Sequence, residues 1–151
     1  VRAQLHEPLP AGRERLWKDF FNGEQNQKFF AGFVGLAIEE VRADYARMRL
    51  PYRPELNQPA GVVHGGAIAT LIDTVVVPAV ASPYDRVPVM LTVDMQLRYL
   101  GAARERDLVA EGWITKRGRS TVFCQAEVRD TEGELIAEGW HVYRVIPAKN
   151  G

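Results

Sequence analysis

The chain has 151 residues, 46% of them hydrophobic and 25% charged, which fits one globular domain and excludes a disordered or low-complexity protein. Its 19 Lys and Arg balance 19 Asp and Glu, so no net field draws it to nucleic acid or to an anionic membrane. A single cysteine, Cys124, excludes an internal disulfide and fits a reducing, cytoplasmic setting; with only His6, His64 and His141 beside it, no metal site and no metal cofactor are expected.

Residues 1–32 form an N-terminal arm and helical segment. Pro8 and Pro10 predict a loose arm over the first ten residues. Leu16, Trp17, Phe20 and Phe21 then recur at helical spacing, which predicts a helix over 12–21, and a second short helix runs through Phe29 and Phe30 before Gly32. Aromatic residues packed this densely dock a helix onto a sheet. No apolar run of signal-peptide type occurs near Glu7, Arg13, Glu14 and Arg15, so the cytoplasm is the expected compartment.

Residues 33–146 form the main domain and 147–151 a tail. Ala46, Met48 and Leu50 alternate with Tyr45, Arg47 and Arg49, predicting two strands within 36–50, and a proline-rich loop over 51–61 ends them. Next comes the stretch with the most chemistry, from Asn57 through His64-Gly65-Gly66 to Asp73. From Ala67 onward the pattern is helical. Ile68, Leu71, Ile72, Val75 and Ala79 make a buried stripe, while Gly66, Thr70, Asp73 and Val77 make a second one that carries an acid. Burying such a carboxylate is costly unless it is paired or used. The apolar run is too short and too interrupted to span a bilayer. Beyond the break at 83–88, residues 90–100 give the clearest strand, with Leu91, Val93, Met95, Leu97 and Tyr99 predicted on one face and Met90, Thr92, Asp94, Gln96 and Arg98 on the other. Strands over 108–116, 121–129 and 135–145 follow, joined by turns short enough for antiparallel hairpins. Cys124 and His141 read as structural members of these strands. The sum is an α+β fold, an antiparallel sheet of five or six strands wrapped around one long central helix.

Asn57, His64-Gly65-Gly66, Asp73 and the strand Leu91-Thr92-Val93-Asp94-Met95 together resemble the hotdog-fold acyl-CoA thioesterases, closest to their PaaI-like, phenylacetate-pathway branch. The likeness spans residues 33–146. It implies a hydrolase acting on an acyl-CoA or aryl-CoA thioester, with coenzyme A present only as part of the substrate and no further cofactor. By the same resemblance Asp73 is the catalytic carboxylate, the Gly65 N–H polarises the thioester carbonyl, His64 and Asn57 place those groups, and Thr92 holds the water. Gly66 lies beside the substrate. The turn Lys116-Arg117-Gly118-Arg119-Ser120 has two readings, a solvated hairpin tip or a clamp in which Arg117, Gly118, Arg119 and Ser120 take the nucleotide phosphates of coenzyme A.

Elementary chemistry agrees with those roles. A helix N-terminus offers unpaired N–H groups and a favourable dipole to developing negative charge, and a carboxylate can act as general base or as nucleophile. Gly66 and Asp73 are separated by about 10 Å along the axis at 1.5 Å per residue, too far for one carbonyl to touch both. A second copy across a two-fold axis resolves this, so a homodimer with shared sites is expected; members of the resembled family also pair into tetramers. The alternatives are a hotdog enoyl-thioester hydratase or dehydratase using His64 as base, and a noncatalytic acyl-CoA-binding module.

Overall fold

The computed structural model describes residues 2–149. Helix α1 (Ala11–Asn22) and the short α2 (Phe30–Val34) precede a hairpin of β1 (Ala37–Arg42) and β2 (Tyr45–Leu50). The long helix α3 (Gly65–Ala81) follows, then β3 (Val89–Tyr99), β4 (Leu108–Arg117), β5 (Thr121–Asp130) and β6 (Leu135–Ile146). The six strands form one antiparallel sheet in the order β1-β2-β4-β5-β6-β3. The sheet curves around α3. This is the expected α+β architecture, and the sixth strand is present.

The buried stripe of α3 is the core. Ile68, Leu71, Ile72, Val75 and Ala79 are buried, as expected from their spacing, and Val76 and Val80 join them. Facing them are Ala46, Met48 and Leu50 of β2, Ala110 of β4, and Cys124, Ala126 and Val128 of β5. Fully burying a Leu or Ile side chain contributes about 2 kcal/mol, so this seam dominates the stability. Two glycines set the depth of the helix. A Cβ on Gly112 would lie 2.8 Å from Val76 Cγ1, and one on Gly139 would lie 2.8 Å from Ile72 Cγ2. With side chains at either position α3 would ride higher, and everything on its second stripe would move. Burial pushes the Cys124 thiol up to about 12, consistent with a small core residue rather than a nucleophile.

Two details differ from the sequence reading. The strict alternation of β3 breaks at a β-bulge between Thr92 and Asp94, where Thr92 pairs with Tyr143 and Asp94 with Val142. An extra residue flips every later side chain to the other face. Thr92 therefore shares the helix side with Met95, Leu97 and Tyr99, while Asp94 and Arg98 turn outward. The N-terminal arm is not loose. The Arg2 guanidinium stacks 3.5 Å over the Trp113 ring, His6 stacks on Tyr45 at 5.2 Å, and Pro8 bridges to Arg42. Prolines remove local periodicity, but they do not prevent docking onto aromatic side chains of the outer sheet face. The helix α3 runs through Pro78, as the place of Ala79 on its buried stripe requires. Proline forfeits one helical hydrogen bond there, in the last turns, where side chains satisfy the remaining carbonyls.

Candidate active site

A pinched loop delivers the helix start. Asn57 and Val63 form an isolated antiparallel bridge, the His64 N–H donates to the Leu56 carbonyl at 2.8 Å, and Gly61 supplies the positive φ of 79° at the tip. His64 is the N-cap of α3 with extended φ and ψ of −60° and 134°. Its Nδ1 accepts from the Gly66 N–H at 2.8 Å, and its carbonyl accepts from Ala67 and Ile68. Three of the four orphan donors of the first turn are thereby used. The fourth, the Gly65 N–H, has no acceptor among the described residues. Tyr99 fixes this terminus by donating its hydroxyl to the Gly65 carbonyl at 2.8 Å, and a Cβ on Gly65 would lie 3.2 Å from the Tyr99 ring. An open recess of about 430 Å³ lies beside Gly65, lined among others by Val63, Ile68, Tyr99 and Ala103.

Two turns further along the helix, Asp73 is half-buried and held by two hydroxyls. Thr92 Oγ1 donates to Asp73 Oδ1 at 3.0 Å, and the Tyr143 hydroxyl lies 2.6 Å from the same oxygen and 2.7 Å from the Asp73 carbonyl. The bulge in β3 is what turns Thr92 toward the helix. Burial pushes the Tyr143 phenol up, and the neighbouring Asp73 charge and its hydrogen bond push it further, so Tyr143 stays a donor throughout the neutral range. The second carboxylate oxygen, Oδ2, takes no hydrogen bond from this chain among the described residues.

The other expected residues fall in different places. Asn57 donates through Nδ2 to the Tyr52 hydroxyl at 2.9 Å, leaving its Oδ1 buried and unpartnered, while the local turn is capped by Gln58 instead. Arg117 is not a free cation at the β4–β5 turn. Its guanidinium donates to the carbonyls of Val80 and Ala79 at 3.0 and 3.2 Å and pairs with Asp44 at 2.6 Å, closing the C-terminus of α3. Gly118 closes the turn by donating to the Thr121 carbonyl, and Ser120 accepts from the Val145 N–H. Of the two arginines there, only Arg119 stands exposed, with no ion pair among the described residues. Sequence reasoning missed three tyrosines, Tyr52, Tyr99 and Tyr143, each of which holds one chemical group of the site. Alternation marked Tyr99 and Tyr143 as strand residues and Tyr52 fell in the proline-rich loop; the packing that aims them at Gly65, Asp73 and Asn57 is a tertiary property. Among the described residues no three His, Cys, Asp or Glu side chains gather as metal ligands.

Known proteins carry the same arrangement of elements. The family model described as the thioesterase superfamily matches residues 60–137, which run from the pinched loop through α3 into β6. A Halobacterium salinarum protein named as a candidate esterase is 34% identical, over 76% of this chain and 82% of its own. Mouse acyl-coenzyme A thioesterase 13 is 32% identical over 54% of this chain and 59% of its own. Among solved structures, zebrafish thioesterase superfamily member 2 superposes with a TM-score of 0.77 at 22% identity, covering 87% of this chain and 96% of that one. The Escherichia coli PaaI protein from the phenylacetic acid degradation operon superposes with a TM-score of 0.73 at 17% identity, over 79% and 85% of the two chains. These last two likenesses carry the hotdog fold, and the family match spans the loop, the helix and the strands that hold Gly65, Asp73 and Thr92. The chain belongs to the thioesterase superfamily and is a thioester hydrolase.

Proposed function

We propose that the protein hydrolyses an acyl-CoA or aryl-CoA thioester in sites shared between two copies of the chain. The observation that carries this reading is the pair of groups on one helix: a single uncommitted N–H at Gly65, and a carboxylate at Asp73 with one oxygen clamped and the other free. Eight residues separate them, about 12 Å at 1.5 Å per residue, whereas reacting groups must approach within ~3–3.5 Å. One chain supplies each half to a different site. β3 favours the pairing, because it is an edge strand with unpaired backbone groups and exposes Leu91 and Val93. Antiparallel association along β3 brings Asp73 of one copy toward Gly65 of the other.

In this reading the thioester carbonyl oxygen takes the Gly65 N–H, and the α3 dipole favours the charge that develops on it. Asp73 removes a proton from water as the water oxygen bonds to the carbonyl carbon. The tetrahedral intermediate then expels the thiolate, the C–S bond breaks, and the proton held by Asp73 passes to sulfur, giving free acid and coenzyme A. Attack by Asp73 itself, through a mixed anhydride, uses the same free oxygen. Thr92 and Tyr143 aim the carboxylate, His64 and Tyr99 hold the helix start, Gly66 lets the substrate approach, and Asn57 stiffens the loop. Arg119, with Gly118 and Ser120, meets the nucleotide phosphates. Hydratase chemistry fits less well: the Nδ1 lone pair of His64 is committed to the Gly66 N–H, which leaves Nε2 carrying the proton and no free base on the ring.

The test is complementation. An Asp73→Asn chain and a Gly65→Pro chain, each inactive alone, are assembled into verified heterodimers and assayed by release of free thiol from acyl-CoA. Heterodimers regain one intact site of two. Failure of purified heterodimers to recover activity rules out sharing.

A further inference from the structure

β6 faces the helix with Gly139, His141 and Tyr143 in alternation, since Gly139 receives Ile72 and Tyr143 receives Asp73. His141 lies between those two contacts, under the Ile72–Asp73 step of α3. It is 2% exposed, and neither Nδ1 nor Nε2 makes a hydrogen bond of normal geometry among the described residues, the Cys124 carbonyl across the β5–β6 pair being only a weak acceptor for the ring. Asn57 Oδ1 and Arg2 Nε are the other buried polar atoms left without a partner among the described residues, both on half-buried side chains, whereas the remaining fully buried polar residues are satisfied. Asn26 donates to the Phe21 carbonyl, Ser82 accepts from Asp44, and Asp130 accepts from Glu132, Glu134 and Arg106. An imidazole carries one donor and one acceptor when neutral, and burying both without partners is unfavourable, so a residue kept only for packing at this place would be apolar.

The groups around the ring are few. The Asp73 charge reaches it from α3, Cys124 lies opposite it on β5, and Tyr143 follows it on β6 with ring centroids 6.2 Å apart; β3 brings Met95, which does not titrate. Asp73 is the one carboxylate in this set. We propose that His141 is a positioning residue for Asp73, its ring joined to the carboxylate by a bridging water that accepts from the imidazole N–H and donates to a carboxylate oxygen. Thr92 and Tyr143 hold Asp73 from the strand side, and His141 holds it from beneath. A neutral ring leaves the carboxylate lone pairs to the reaction; a protonated ring engages them in an ion pair. Burial pushes His141 down, with Asp73 and the Cys124 carbonyl pulling the other way, so the ring is neutral at neutral pH and charges only in acid.

The catalytic half of this inference rests on the thioesterase reading, and the experiment separates the two. Imidazole resonances of the intact protein are followed against pH, with His141 assigned by loss of its signal in His141→Gln. The midpoint of His141 lies below the ordinary value of about 6.5, and in Asp73→Asn it falls further, because the favourable charge is gone. A midpoint unmoved by Asp73→Asn overturns the coupling, whether or not the protein hydrolyses acyl-CoA. In turnover, His141→Leu lowers kcat about tenfold with KM little changed, and His141→Gln, which keeps a donor and an acceptor but cannot titrate, restores most of it while changing the acid side of the kcat profile. Equal kcat and an identical acid limb in wild type, Gln and Leu variants would overturn the positioning role. If the Leu variant does not fold, the Gln profile and the resonance midpoint decide.

Discussion

The two ends of α3 are built from the same kind of apolar sequence yet are finished in opposite ways. At the N-terminus the backbone is left open: His64 caps one donor, its carbonyl takes two more, and the Gly65 N–H remains free beside a recess. At the C-terminus the carbonyls of Ala79, Val80 and Ala81 are all taken. Arg117 covers the carbonyls of Ala79 and Val80, Ser82 ties the end of the helix to Asp44, and Pro78 to Ala81 are buried. Asp73 lies between, on the stripe that is neither fully buried nor open. An unmet donor is a reagent at one end, and an unmet acceptor would only be a defect at the other.

The largest effect should come from the middle. Asp73→Asn keeps an oxygen for Thr92 and Tyr143 to donate to, so folding is preserved, but it removes the base or nucleophile. kcat should fall by about 10²–10⁴ with a melting temperature close to wild type. If more than a tenth of kcat survives in a pure sample, Asp73 does not carry the chemistry.

The open end comes next. Proline is tolerated at the first helical position, where Gly65 stands, and the extended conformation of His64 is the one a residue before proline adopts. Gly65→Pro thus deletes the free N–H with the helix intact, and kcat should fall by about 10²–10³. Gly65→Ala adds the same Cβ against Tyr99 but keeps the N–H. The contrast between the two variants isolates the donor, and equal losses would assign the effect to crowding of Tyr99 instead.

The closed end should respond in stability alone. Arg117→Met retains the aliphatic stem and removes the bonds to Ala79, Val80 and Asp44, and should lower unfolding free energy by about 1–3 kcal/mol in denaturant titrations. kcat below the melting range should stay within about twofold of wild type. A large loss of kcat in folded Arg117→Met would mean that the two ends are not separable.

How much of this was legible depends on whether a feature is periodic. The buried stripe of α3, the strand segments and the acid on the second stripe all follow from spacing, and the histidine, glycines and acid carried the family resemblance. Features made by pairing were not legible. The bulge at Thr92 depends on which residue of β6 lies opposite, and moving one residue reassigned the faces of Asp94, Leu97 and Tyr99. Tyr52, Tyr99 and Tyr143 look like ordinary strand and loop aromatics until the register points their hydroxyls at the site. Arg117 looked like part of a surface clamp because sequence shows a run of cations but not that one of them folds back over a helix end. The docked N-terminal arm was hidden for the same reason, since its partners Tyr45 and Trp113 are distant in the chain.

The smallest effect belongs to what remains of that clamp. With Arg117 occupied, Arg119 is the exposed arginine of the turn, and a solvent-exposed contact with a phosphate is worth about 0.2–1 kcal/mol. Arg119→Ala should therefore raise KM for acyl-CoA by no more than about fivefold and leave kcat unchanged. Because the attraction is screened, wild-type KM should climb as salt is added, while the variant's KM should change less. A hairpin tip that serves only solubility would give two curves of the same slope, and a truncated thioester lacking the nucleotide should abolish the difference between the proteins if the phosphates are what Arg119 meets.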